Sequence, residues 1–435
     1  MLHDPGSYTP PLRIHEINLE ESEKTVLRRL GEEIAHISSL PVHKEKARLW
    51  ASLNDLKSVR PMVWINEIPW HEMNVNDELT IRTNNLWARE LEQKLRREIY
   101  QWNHMQADMV VNNFLDCPLA LHSTDFGIIE DVDIIKTDEK SDIYSRHFKI
   151  QIKEPEDIDK IKMPKVSYDE QTTEVVYETM KELFKDIIPI KKVAQTHIWF
   201  TPWDYLIRWW GIEEAMLDLV LRPDMVNAAV ERMVEAWTVE LDQFVARDLL
   251  SLDNNNIRIG SGGYGYTDSL PGNKFDLGHV RPDNMWGCSN AQIFAQVSPE
   301  MHWEFSLKHE MRWLEKWGLT YYGCCEPLDN KIGILQKIPN LRKISVSPWA
   351  KLDKIIKEVG NKYVLSIKPS PAIFSGENWD TKFARKYLEE TMEITHGVCH
   401  VEFIMKDIST VSYQPQRLWE WEKIAMDVVQ KNMTE

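Results

Sequence analysis

The chain begins with two stretches of helical period and then changes character. In ESEKTVLRRLGEEIAHI and VHKEKARLWASLNDLKS apolar residues recur every three or four positions, which predicts amphipathic helices within residues 1–55. Beyond them, short β-branched runs alternate with longer amphipathic stretches. PMVWIN, PLALHST, KKVAQTHIWF, NIRIGSGG, LTYYGCC, KISVSPW, YVLSIKP and HVEFIMKD read as strands. SPEMHWEFSLKHEMRWLEKWG reads as a helix, with Ser298 as N-cap, Pro299 at the first helical position and Gly318 at its end. TKFARKYLEETMEITHG reads as another. Eight strands, most separated by helices, predict an α/β protein: a closed TIM-like (β/α)8 barrel over residues 56–435 with an N-terminal helical extension over 1–55. The stretch GSGGYGYTDSLPGNKFDLGHVRPDNMWGCSN has no period and many glycines, as expected of an active-site loop.

In such a barrel the chemistry collects where strands finish. The residues finishing the predicted strands are His122, His197, Cys324-Cys325-Glu326, Ser347, Lys368 and Lys406-Asp407. Glu67 belongs to the first strand-end loop, after Trp64 and Ile65, and can face the mouth. Cys117 and Cys399 precede their strands and are expected in the core. The adjacent thiols admit three readings. They pack as small buried residues; they ligate zinc or a similar ion, with Glu326 and His197 or His122 completing a tetrahedral set; or one is a nucleophile activated by Lys368 or His197. No CxxC or HExxH spacing is present. Lys406, Asp407 and Lys368 are either structural or suited to proton transfer and to gripping an anionic substrate. The GSGGYGY glycines fit neither a P-loop nor GxGxxG, so they point to close backbone approach to a bulky ligand, with Tyr264 and Tyr266 beside it. His302 and His309, seven residues apart on one helix, are expected to serve packing or surface roles.

Composition narrows the class. At 435 residues, with 43% hydrophobic and 28% charged residues, the chain can bury a large core. A formal charge of -16 argues against nucleic-acid binding, which needs a basic surface. No apolar run approaches membrane-spanning length, and MLHDPGSYTPPLRIHEI lacks the apolar core of a signal peptide. Five cysteines form no disulfide framework, and the expected location is the cytoplasm. Eighteen tryptophans supply core volume, or else line an aromatic cavity.

Several stretches resemble the uroporphyrinogen decarboxylase superfamily, which includes zinc methyltransferases serving corrinoid proteins. They are SVRPMVWINEIPW, FTPWDYLIRWWGIEEAMLDLVLRPDMV, VSPEMHWEF, YYGCCE and FIMKDIST, and the resemblance spans roughly residues 55 to 430. It implies a barrel enzyme moving a methyl group between a small methoxylated or N-methylated compound and a corrinoid carried by a partner protein, with zinc assisting. The departures are specific. INEIPWHE is acidic where the decarboxylases carry arginines for their substrate's carboxylates. Tyr322 stands where the methyltransferases have a histidine ligand, and Lys406-Asp407 stand where a later cysteine ligand is expected. Cys324, Cys325 and Glu326 with His197 or His122 are the ligands the resemblance leaves available. The alternatives are a metal-free decarboxylase or lyase using Lys406, Asp407 and Lys368, and a non-catalytic ligand-binding scaffold.

Overall fold

A computed structural model describes residues 14–135, 145–272, 275–276 and 278–431. The start of the expected N-terminal extension and three positions of the glycine-rich stretch lie outside the described residues. Helix α1 (Glu21–Ser38) starts on a reciprocal cap in which the Glu20 N–H donates to the Glu23 carboxylate at 3.0 Å. Its apolar face, Leu27, Leu30, Ile34 and Ile37, packs against α3 (Leu86–Met105) and α4 (Glu170–Phe184). Burying each of these side chains contributes roughly 1.5–3 kcal/mol. Helix α2 (Val42–Asn54) lies between α1 and α3 in sequence and closes one end of the sheet. Trp50 is fully buried there, its indole N–H donating to the Asp108 carbonyl at 2.9 Å.

The strands are β1 (Met62–Ile65), β2 (Leu115–Pro118), β3 (Leu121–Ser123), β4 (Val132–Ile135), β5 (Ser145–Phe148), β6 (Val166–Tyr168), β7 (Ile190–Val193), β8 (Trp286–Ser289), β9 (Leu319–Tyr322), β10 (Leu341–Val346), β11 (Val364–Ile367) and β12 (His400–Met405). Six form one parallel sheet in the order β1-β12-β11-β10-β9-β8. β2 pairs in parallel with β7, while β3–β6 and β4–β5 are antiparallel pairs. The chain is therefore α/β, with its main sheet wholly parallel.

Alternation along the strands decides what each face does. Val63, Ile65, Ile344, Val346, Leu365, Ile367, Val401, Phe403 and Met405 join the cluster that holds Leu418 and Trp421 of the last helix. The opposite face is largely polar. Lys343 and Glu402 form an ion pair at 2.9 Å, with neither side chain exposed. Gly262 and Gly263 lie directly against Glu402, Tyr321 and Trp50, and a Cβ on either would collide with those side chains. The glycines expected to make room for a ligand make room instead for the protein's own rings and for Glu402, which accepts the Gly263 N–H at 3.1 Å.

Three strand assignments change. NIRIGSGG is not a sheet strand; its only pairing is an antiparallel bridge from Arg258 to Tyr264. PLALHST divides between β2 and β3, which belong to different sheets. WGCS, inside the expected loop, is the edge strand β8. Four residues including a glycine offer too short an apolar run to reveal a strand, and its stability comes from β9 alongside.

Candidate functional site

The carboxyl ends of the sheet strands converge on the adjacent cysteines. Gly323 follows β9 with φ +98°, a conformation few other residues adopt, and a Cβ there would strike Leu328 and Ser345. The turn is held by Glu326, whose carboxylate accepts the Cys324 N–H at 2.8 Å and the Ala291 N–H at 3.2 Å. This departure from strand geometry brings both sulfurs to one side, 3.6 Å apart. Cys324 is buried and Cys325 is partly open.

Lys406, at the end of β12, reaches the same point. Its ammonium lies 2.7 Å from Asp407, 3.4 Å from Glu67, 3.7 Å from Cys324 Sγ and 3.8 Å from Cys325 Sγ. Cys325 Sγ is also 3.3 Å from Asp407. Glu67 in turn accepts from Arg258 at 2.7 Å and from the Asp407 N–H at 3.1 Å. Glu67 and Asp407, ending the paired strands β1 and β12, have φ of 50° and 55°. Two non-glycine residues in the left-handed region cost about 1–3 kcal/mol each and mark the rim as held against local preference.

The electrostatics are those of an ammonium among anions. Burial opposes the Lys406 charge, but Cys324, Glu67 and Asp407 hold its pKa above the usual lysine range. Burial likewise works against the Glu67 carboxylate, yet Arg258 and Lys406 keep it well below the usual carboxylate range. The hydrogen bond from Cys325 lowers the Cys324 thiol, with Lys406 adding to it, while Cys325 is raised. Cys324 is thus the more acidic thiol of the pair and Cys325 its hydrogen-bond donor.

Around this cluster stand groups with unmet hydrogen-bonding capacity. Asn290 follows β8 and Ser347 follows β10; they are 1% and 2% exposed, and neither side chain has a partner. Both amide atoms of Asn66, after β1, are also unpartnered. Buried polar atoms seldom lack partners, so these strand-end groups suit a polar ligand. Asp204, in the first turn of α5 (Pro202–Trp210), accepts from the Gln292 amide at 3.0 Å. Burial pushes its carboxyl up to about 6.

The remaining expected site residues lie elsewhere or are already engaged. Lys368 donates to the Tyr321 hydroxyl at 3.0 Å and to the Ser345 hydroxyl, and among the described residues it has no carboxylate partner within 4 Å. His197 receives the Gly260 N–H on Nε2 at 2.9 Å, and its Nδ1 lies 3.2 Å from the Trp286 carbonyl and 3.6 Å from Asp253, so both ring nitrogens are engaged. His122 is on β3, outside the main sheet. Tyr264 packs with Trp50, Met62 and Val364 at the end where β1 and β11 begin, with Trp64 against it at 4.8 Å. The Tyr266 carbonyl is bound there by Asn54. These tyrosines face the opposite end from the cysteines.

His197 and His122 therefore do not gather with the two thiols, and Glu326, beside them, is engaged by the Cys324 and Ala291 N–H groups. Among the described residues no three or more His, Cys, Asp or Glu side chains are arranged to hold a metal ion. The expected zinc set does not fit.

No protein-family model matches this chain, and no curated protein sequence does. A solved structure does match. A methyltransferase from Methanosarcina mazei is similar with a TM-score of 0.50, covering 89% of this chain and 99% of that one. Identity is 10%, so what the two share is the fold.

Asn66, Asn290, Asp204 and Arg258 escaped the sequence reading. Asn66 was legible, since it continues the alternation Met62, Trp64. Asn290 follows a strand too short to recognise, and Asp204 and Arg258 reach the site from a helix and a loop with no local signature.

Proposed function

We propose that this chain is a methyltransferase whose reaction centre is the Cys324–Cys325–Lys406 cluster. It moves a methyl group between a small methoxylated or N-methylated compound and a corrinoid carried by a partner protein. The observation carrying the reading is a buried lysine ammonium set against two cysteine sulfurs at the carboxyl ends of parallel strands, on a fold shared with a methyltransferase. A reduced corrinoid would supply the nucleophile for a methyl carbon. The chain's residues serve the other half of the exchange. When the carbon–heteroatom bond breaks, its electron pair stays on the heteroatom, and Asp204 is the acid placed to protonate it near neutral pH. Lys406 offsets negative charge developing there. Asn290 and Ser347 orient the substrate through their unpartnered polar atoms.

The parallel sheet and the β2–β7 pair are read as arcs of one closed eight-stranded barrel following the helical segment at residues 1–55. The Asp108 N–H, ahead of β2, donates to the Val63 carbonyl of β1, and Cys288 Sγ of β8 donates to the Ile198 carbonyl, beyond β7, so segments flanking the pair touch both edge strands of the sheet. Closure would set all strand ends around one mouth.

The test mixes the chain with cob(I)alamin and a panel of methoxylated aromatics and N-methylated amines, following methylcobalamin by absorbance. Methyl transfer is expected, with Lys406→Met slowing it on the order of 10²–10³-fold, as for loss of a charge-stabilising donor. No transfer from any donor by folded wild-type protein defeats the reading.

One observation favours a second reading, a decarboxylase or lyase. Lys368, buried and without a carboxylate partner among the described residues, suits a substrate carboxylate. Under this reading the Cys324→Ser, Cys325→Ser double variant keeps its activity; under the first it does not.

A further inference from the structure

Two pairs of donors around Lys406, though among the described residues no set of three, approach the spacing found around a bound metal. Two sulfurs on a tetrahedral zinc lie about 3.7 Å apart, and a sulfur and an oxygen about 3.5 Å, given bond lengths near 2.3 and 2.1 Å. Cys324 and Cys325 are 3.6 Å apart, and Cys325 is 3.3 Å from Asp407. The Lys406 ammonium caps these donors and also lies 3.4 Å from Glu67. Its distances, 2.7 Å to Asp407 and 3.7 and 3.8 Å to the sulfurs, are those of hydrogen bonds and not of metal bonds. The lysine is held in place. It directly follows β12, its side chain is only 4% exposed, and Glu67, bound to Arg258, lies 3.4 Å from its ammonium.

We propose that the Lys406 ammonium is the resident cation of this cluster, standing where a dithiol–carboxylate site would otherwise take a divalent metal. A metal ion and an ammonium repel at such separation, so the two occupants exclude each other. The cluster is thus a dithiol–ammonium centre as built. Removing the ammonium leaves Cys324, Cys325, Asp407 and Glu67 with only Arg258 and the more distant Lys368 as positive groups named above, and a thiophilic divalent ion would offset that negative charge. The proposal takes its catalytic meaning from the methyltransferase reading, but its test reads the cluster whether or not methyl transfer is found.

Wild type, Lys406→Met and Lys406→Met/Cys324→Ser proteins are incubated with Zn²⁺, desalted and assayed for bound metal. Cd²⁺ is used in parallel, with thiolate charge-transfer absorption as the signature. Wild type is expected to retain far less than one equivalent of zinc and to show no cadmium–thiolate band. Lys406→Met should retain one equivalent with the band, and the double variant should lose both. Alkylation of Cys324 in wild type should proceed at the same rate with added Zn²⁺ as with a chelator. One tightly held zinc in wild type, or protection of Cys324 from alkylation by zinc, overturns the proposal. So does failure of a folded Lys406→Met protein to take up either ion. If that variant does not fold, the wild-type metal count and alkylation rates decide alone.

Discussion

Asp204 shows most directly how a single side chain links stability to activity. Its carboxyl is raised by burial from 3.8 to about 6, so between those values the folded protein binds the proton more tightly than the unfolded chain does. The contribution to stability is complete below pH 3.8 and disappears as pH rises through 6. Asp204→Asn cannot ionise, so it should be more stable than wild type at pH 8, by about 1–3 kcal/mol, with the difference vanishing near pH 4. Denaturant unfolding at the two pH values measures this. As the proton donor, Asp204 should also make methyl transfer decline above pH 6, and Asp204→Asn should lose roughly 10²-fold in rate along with that pH limb. A rate profile unchanged by the substitution removes Asp204 from the chemistry. Cys324 and Cys325 were recognisable in the sequence as candidates, but which of them is the more acidic was not. That difference rests first on the hydrogen bond from Cys325 and then on Lys406, which lies 82 residues from Cys324 and 81 from Cys325 along the chain.

At the scale of elements, the parallel sheet departs from the usual expectation that both faces are apolar. One face meets helices; the other carries Lys343, Glu402, Ser345, Ser366 and Lys368. Burial lowers the Lys343 pKa, and Glu402 is what offsets this. Glu402→Ala strands a buried ammonium and frees the Gly263 N–H, so it should cost about 3–5 kcal/mol, read from the denaturation midpoint. A Lys343→Met/Glu402→Leu double variant should recover most of that loss; failure to recover would mean that Glu402 acts through the glycine contact and not through the ion pair. The strands β9 to β12 were legible because each carries enough apolar residues in alternation to be seen locally. β8 was not, since Trp286-Gly287-Cys288-Ser289 owes its conformation to the neighbour with which it pairs. NIRIGSGG has strand composition, yet it folds across the polar face, where its glycines fit against Tyr321, Trp50 and Glu402.

For the whole molecule, the two ends of the sheet separate stability from chemistry. Tyr264, expected beside a ligand, is packed with Trp50 and Met62 at the end where strands begin. Tyr264→Ala should therefore destabilise the protein by about 3–5 kcal/mol, as large aromatic truncations do, with turnover per folded molecule unchanged. An activity loss exceeding the loss of folded protein would place Tyr264 in the reaction after all. Among the described residues no helix is long and apolar enough to cross a membrane.

The sequence by itself determined the helical start, the succession of strands and helices, and the strand-end position of Cys324, Ser347, Lys368 and Lys406. Those follow from local periodicity, because a side chain's face and its place along an element depend on near neighbours in the chain. Tertiary structure alone decided which strand ends meet, that His197 and Glu326 are engaged by backbone N–H groups, and that one ammonium sits against both sulfurs and the Asp407 and Glu67 carboxylates. Such matters depend on distances across the sheet, which the spacing of residues along the chain does not encode.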